Sequence, residues 1–109
     1  MSLTSITVTG YHQEGSVTFY RLQISKKDES YELNRRFSDI LRLHRALARH
    51  GSLFILPPRP PKYPTQLIQN EAFIRRRIRE LNDYFQELLK VDLINTHDGF
   101  LIFFASPNQ

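Results

Sequence analysis

Two arginines, an aromatic ring and a hydroxyl group occur together where a predicted strand becomes a predicted helix. They lie in the run from Asn34 to Asp39, which reads NRRFSD. The guanidinium group of arginine is a flat, permanently charged fork that matches phosphate oxygens, and a helix N-terminus favours an anion. Phe37 adds an apolar face beside these cations. The run predicts a cradle for a phosphorylated ring compound; the alternative is a solvated arginine pair before the first core residue of a helix.

Four arginines occur in the predicted long helix, and they face in different directions. With Ile74 placed at zero on a helical wheel, Arg77 falls at about −60°, on the flank of the apolar stripe, whereas the other three point away from it. A charge held at a core edge needs a partner, because its burial is costly. Arg77 is therefore the functional candidate. The other three, Arg75, Arg76 and Arg79, are predicted to be solvated. Arg76 with Glu80 and Arg79 with Asp83 have the spacing of weak surface ion pairs.

A proline-rich segment separates these two groups of arginines. Five prolines occur within the eight residues 57–64, which predicts an extended polyproline loop. Lys62 adds a cation near its end. The spacing Pro57-x-x-Pro60-x-Lys62 also fits a PxxP ligand with a flanking cation, the kind of segment that an SH3 domain binds. A protein-interaction module with an SH3 partner is thus the alternative function.

The remaining pattern predicts three strands followed by helices. Alternating apolar residues indicate an antiparallel meander, and apolar spacings of three and four indicate amphipathic helices. The expected fold class is α+β, a three-stranded antiparallel meander packed against a helical subdomain of three to four helices, in a single domain over 1–109 with its core at about 5–104. The predicted strands are Thr4–Thr9 (ended or bent by Gly10), Val17–Ser25 and Tyr31–Arg35. The predicted helices are Ser38–Arg49 with Gly51 at C′, Glu71–Lys90, and a short one capped by Asn95 or Thr96.

Composition and charge narrow the function classes. The chain has no cysteine, so disulfides and thiolate chemistry are excluded, and no apolar run approaches the roughly 18 residues of a membrane span. The net charge of +4 divides into −1 over residues 1–33, +7 over 34–90 and −2 over 91–109. A basic middle segment attracts phosphates. No nucleic-acid-binding signature, catalytic motif or metal-ligand spacing occurs. We therefore expect that the protein is not an enzyme and has no nucleic acid partner, metal or cofactor. His44 is expected to lie at the edge of the core and to have no catalytic role.

The order of these elements resembles a known family. Three strands, Arg-Arg-Phe-Ser opening a helix, a proline loop with lysine, and a helix containing Arg77-Ile78-x-x-Leu81-Asn82-x-Tyr84 are together similar to the phox-homology (PX) domain of sorting nexins and NADPH oxidase subunits. The resemblance covers about residues 5–104.

The resemblance implies a binding module for phosphatidylinositol 3-phosphate. It implies that Arg36 holds the 3-phosphate, assisted by Ser38, and that Phe37, where the family often has tyrosine, lies against the inositol ring. Lys62 would meet the 1-phosphate. Arg77 would bind the 4- and 5-hydroxyls, which agrees with its position on the wheel.

The same comparison implies peripheral attachment to the cytosolic face of endosomal or related membranes. The residues after Lys62 would then approach the bilayer, so Tyr63, Leu67 and Ile68 are candidates for membrane insertion. Alternatively, Leu67 and Ile68 begin the packing of the long helix. Arg59 could compete with Lys62 for the 1-phosphate.

Overall fold

The computed structural model describes residues 2–49, 55–64 and 70–107. Three strands come first, then the helices, as the apolar periodicities predict. The strands are β1 (Leu3–Glu14), β2 (Val17–Lys26) and β3 (Ser30–Arg36), and the helices are α1 (Phe37–Ala48), α2 (Glu71–Leu89), a 3-10 turn (Ile94–Thr96) and α3 (Asp98–Phe103). This α+β architecture confirms the expected fold class.

The sheet is an antiparallel meander in the order β1-β2-β3. Gly15 sits in the β1–β2 turn with φ of 61°, a left-handed conformation that glycine adopts without steric cost. The register shifts between Val8 and Gly10, so β1 bends at this point and continues to Glu14 rather than ending. The bend carries the β1–β2 hairpin beyond the body of the sheet.

Helix α2 closes the free edge of β1 through one side chain. Asn82 accepts a hydrogen bond from the backbone N–H of Val8 at 2.7 Å and donates one to its carbonyl at 3.2 Å. Asn95 accepts the N–H of Leu3 at 2.9 Å. An edge strand otherwise presents unpaired backbone groups, so these contacts fix the sheet against the helices.

The core lies between the inner face of the sheet and the helices. Tyr20, Leu22 and Ile24 of β2 belong to the same core cluster as the apolar stripe of α2, and each is at most 1% exposed. The apolar spacing of α2 predicts a stripe of five residues, of which four are buried and Ile78 is half-buried; the buried ones are Ile74, Leu81, Phe85 and Leu88. Because β2 and α2 are fixed on both sides of this core, their flanking residues are held in place.

Several boundaries differ from the sequence prediction. Helix α1 begins at Phe37. The cap of α3 is His97, whose ring Nδ1 accepts the N–H of Phe100 at 3.2 Å, whereas the prediction of Asn95 or Thr96 was wrong because those residues belong to the preceding 3-10 turn. Gly51 lies outside the described residues. No helix of the described residues is long and apolar enough to cross a membrane.

Candidate functional site

The two adjacent arginines at the end of β3 point in different directions. The Arg35 guanidinium donates to the carbonyl of Phe103 at 3.0 Å and lies over its ring, which ties the sheet to α3. Arg36 faces the other way, as alternation along a strand requires, and is exposed beside a cleft. Only Arg36 is therefore positioned to bind a ligand there.

Asp39 organises the first turn of α1. Its carboxylate accepts the backbone N–H of Arg36 at 2.9 Å and a guanidinium N–H of Arg42 at 2.7 Å. An acidic residue here is favoured by the helix dipole. Over the described ranges, no carboxylate lies within ion-pairing distance of the Arg36 guanidinium, so its charge is available to an anion.

Arg77 is a buried cation at the other side of the cleft. It is 5% exposed, its Cζ lies 3.7 Å from the centre of the Phe37 ring, and the Tyr63 ring centre is 5.4 Å away. Stacking of this kind favours a planar guanidinium over an ammonium group. Burial raises the pKa of the Tyr20 hydroxyl, and the positive charge of Arg77 offsets part of that rise. Arg77 thus contacts aromatic residues from a strand, a helix and a loop.

The cleft between these residues has a volume of about 290 Å³. The buried Ser38 Oγ and Arg77 Nε have no hydrogen-bond partner in the part of the chain that the structure describes. Buried polar groups without partners are costly, so the cleft presents unused hydrogen-bonding capacity. The lining residues are Ser16, Val17, Thr18, Tyr20, Arg36, Phe37, Ser38 and Arg77.

Four of these eight lining residues were predicted from the sequence, and the other four were not. Arg36 of β3, Arg77 of α2, and Phe37 and Ser38 of α1 line the same cleft. Residues 16–18 and Tyr20 form the wall at the start of β2. The alternation of β2 places Tyr20 on the inner face of the sheet, and this pattern could have identified it as a lining residue. Residues 16–18 could not be identified in this way, because their position beside α1 depends on the bend in β1.

The proline loop contributes Tyr63 to the back of the site. The Tyr63 hydroxyl donates to Glu80 at 2.6 Å, its ring packs edge-on against Phe73, and Arg76 lies 5.7 Å from the ring centre. The hydrogen bond to Glu80 raises the pKa of Tyr63. Tyr63 is half-buried against α2, so its role includes holding the loop; membrane insertion of this residue stays a prediction.

The other loop residues are distributed differently. Lys62 is exposed and is not among the residues that line the cleft, so its contact with the 1-phosphate stays a prediction. Leu67 and Ile68 lie outside the described residues. Pro60 is buried and Pro57 half-buried, so an SH3 domain would have to displace this segment before reading it.

Arginine pairing on α2 departs from the prediction. Arg75 pairs with Glu71 at 2.8 Å, one turn earlier. Glu80 accepts the Tyr63 hydroxyl instead of pairing with Arg76, and Arg79 is not within ion-pairing distance of Asp83 in the described ranges. The predicted solvation is found, since Arg75, Arg76 and Arg79 are all exposed.

Comparison with known proteins identifies the family. A profile of the PX domain family matches residues 23–107. The chain belongs to the PX domain family. Sorting nexin-4 of Schizosaccharomyces pombe is 30% identical over 81 residues, 71% of this chain and 20% of that protein. Sorting nexin 2B of Arabidopsis thaliana is 29% identical over 104 residues, 87% of this chain and 18% of that protein. The chain therefore spans about a fifth of the length of these relatives.

A solved structure supports the same fold. The X-ray structure of a designed CISK-PX domain superposes with a TM-score of 0.83 at 21% identity, covering 94% of this chain and all of the other. The PX profile and the sorting nexin relatives make the chain a phosphoinositide-binding, membrane-targeting module. Domains of this family are in general lipid-binding modules without catalytic activity, and they associate with membranes peripherally.

Proposed function

We propose that this PX domain recognises phosphatidylinositol 3-phosphate and thereby attaches its protein to the cytosolic face of endosomal membranes. One observation carries the proposal. The exposed cation of Arg36 and the buried cation of Arg77 line one cleft, and among the described residues Arg36 has no ion-pair partner and Ser38 Oγ and Arg77 Nε have no hydrogen-bond partner. A phosphorylated polyol supplies both the negative charge and the hydroxyl groups that such a cleft needs.

Each side chain has a distinct proposed role. Arg36 binds the 3-phosphate as a bidentate fork, with Ser38 donating from the first turn of α1, where the helix dipole favours an anion. Phe37 lies against the inositol ring. Lys62 meets the 1-phosphate from the loop that Tyr63 holds in place.

Arg77 accounts for the proposed specificity. Its guanidinium is fixed by stacking on Phe37 and by Tyr20, so it can donate to neighbouring hydroxyls without moving. A contact close against the 4- and 5-hydroxyls leaves no room for phosphates there, which is selection by exclusion. The matched aromatic packing also explains why the cation is arginine, since lysine lacks the planar group.

Soluble headgroups separate this proposal from general charge attraction. Calorimetric titration should show binding of inositol 1,3-bisphosphate and much weaker binding of inositol 1,4-bisphosphate, which carries the same charge. Equal affinity for the two isomers would overturn the assignment of the 3-phosphate to Arg36. SH3 domains offer a different partner, but the burial of Pro60 does not favour them.

A further inference from the structure

Helix α2 presents a second group of arginines on the flank opposite Arg77. Arg75 and Arg79 lie one turn apart on the same face, and Arg21 of β2 meets them across the edge strand. Together they line a cleft of about 430 Å³ beside the bend in β1. Its lining is completed by Thr9, Gly10, Tyr11 and Ile78. None of the described residues that line it is acidic, so its field is positive.

Each of the three guanidinium groups keeps donors free for a ligand. Arg75 uses Nε and Nη2 on the same oxygen of Glu71, at 3.1 and 2.8 Å, which leaves its other terminal nitrogen. Arg21 approaches Glu32 only at 3.5 Å and only through Nε. Arg79 forms no ion pair or hydrogen bond within the described ranges. Since a guanidinium carries five N–H donors, most of this capacity is unused.

Gly10 makes the approach of Arg21 possible. A Cβ atom built at Gly10 would lie 2.2 Å from Nη2 of Arg21 and 3.2 Å from its Cζ. The guanidinium therefore rests directly over the backbone at the bend, in space that any other residue would fill. The bend and the missing side chain together bring a strand cation to the flank of α2.

We propose that this cleft is a second anion site, separate from the Arg36 cleft, that binds a phosphate group. Three guanidinium forks around one cavity match the oxygens of a phosphate monoester better than they match a carboxylate. The phosphate can belong to a lipid headgroup or be free in solution, and the chemistry of recognition is the same. In the lipid case the domain holds two headgroups, one on either side of α2, and gains affinity from two linked contacts.

The test uses two probes on the whole chain. Inorganic phosphate, followed by amide chemical shifts, reports the free anion. Phosphatidylcholine vesicles containing phosphatidic acid and no phosphoinositide report the lipid.

Three variants are compared. Arg79→Ala removes a cation from the cleft, and Arg45→Ala removes one from an exposed face of α1. Gly10→Ala keeps every charge but displaces the Arg21 guanidinium, and its backbone is not in the left-handed region. Thermal unfolding checks that each variant is folded.

The expected result is a specific loss. Arg79→Ala and Gly10→Ala should each weaken binding about tenfold, in the vesicle arm if the ligand is lipid and in the phosphate arm if it is free, while Arg45→Ala binds as the unmodified chain does. The same losses should occur in a chain that also carries Arg36→Ala, in which the first cleft no longer contributes. The second site would be overturned if Gly10→Ala left binding unchanged while Arg79→Ala and Arg45→Ala weakened it equally. That result would show diffuse electrostatic attraction. Equal binding by the Arg36→Ala variant and by the Arg36→Ala/Arg79→Ala double variant would also overturn the second site, without touching the proposed function of the first cleft.

Discussion

At the scale of single residues, Arg77 is a buried cation with an unpaired Nε among the described residues. It is 5% exposed and stacks 3.7 Å from the Phe37 ring centre, and its charge offsets part of the rise that burial causes in the pKa of the neighbouring Tyr20 hydroxyl. Its charge is therefore taken out of water without a carboxylate at ion-pairing distance in the described part of the chain. A buried group in that state gains more from a ligand than a solvated one does, because the ligand completes its hydrogen bonds.

Replacing Arg77 tests this reading. Arg77→Ala should lower the affinity for inositol 1,3-bisphosphate about tenfold or more, because a charge-assisted hydrogen bond is worth roughly 1.5–3 kcal/mol. Arg77→Lys should lose nearly as much, since an ammonium group lacks the planar fork. Calorimetry measures both, with Arg45→Ala as the charge-matched control. Wild-type affinity in a folded Arg77→Lys variant would mean that only the charge matters.

His44 makes stability depend on pH. Its Nδ1 lies 2.8 Å from the Tyr84 hydroxyl, and burial, together with repulsion from Arg59, lowers the pKa of His44. The unfolded chain therefore binds more protons than the folded chain as pH falls below about 6.5, so the free energy of unfolding decreases there and levels off below the folded pKa.

The free energy of unfolding can be measured with urea at pH of about 7.5 and 5.5, on either side of the ordinary pKa of histidine. The unmodified chain should lose more stability between the two pH values than His44→Gln does, because the variant has no ring to protonate. An equal loss in both chains would assign the pH dependence to other groups.

At the scale of elements, the proline loop is tied to α2 by one hydrogen bond. Tyr63 donates to Glu80 at 2.6 Å, and Lys62 is its direct neighbour. Tyr63→Phe keeps the ring and removes only this bond, so Lys62 should lose its placement and affinity for the soluble headgroup should fall several-fold. Calorimetry measures the change. A loss for vesicles alone would instead support membrane insertion of Tyr63.

The edge of the sheet depends on α2 through Asn82. Two hydrogen bonds join its amide to the backbone of Val8, so Asn82→Leu should lower the free energy of unfolding by about 1–3 kcal/mol. The exposed Gln86 on the same helix supplies the control, Gln86→Leu. Chemical denaturation measures the free energy of unfolding of both variants. Equal stability of the two would show that the hydrogen bonds of Asn82 do not stabilise the fold.

At the scale of the whole molecule, the sequence predicted the fold and one side of the site. Local periodicity is sufficient for β2 and α2, because each buries one continuous stripe, and the opposite directions of Arg35 and Arg36 follow from strand alternation. The cap of α3, the residue paired with Tyr63 and the wall formed by residues 16–18 were not predictable, because each depends on contacts between distant segments.

Charge is also arranged over the whole domain rather than along the chain. Part of the excess of +7 in residues 34–90 lies at the Arg36 and Arg77 cleft, and part lies on the opposite flank of α2 at Arg75 and Arg79. A field of one sign over a broad surface speeds encounter with an anionic membrane and falls with salt, whereas a fixed cleft determines which headgroup stays bound. Specificity must therefore be measured at equal surface charge.

The most direct measurement is binding to vesicles at physiological salt, with either phosphatidylinositol 3-phosphate or phosphatidylinositol 4-phosphate at the same content. We predict that the domain sediments with the first and only weakly with the second, and that Arg36→Ala abolishes this preference while Arg45→Ala keeps it. Equal sedimentation with both lipids, or an unchanged preference in a folded Arg36→Ala variant, would contradict the proposed recognition of the 3-phosphate.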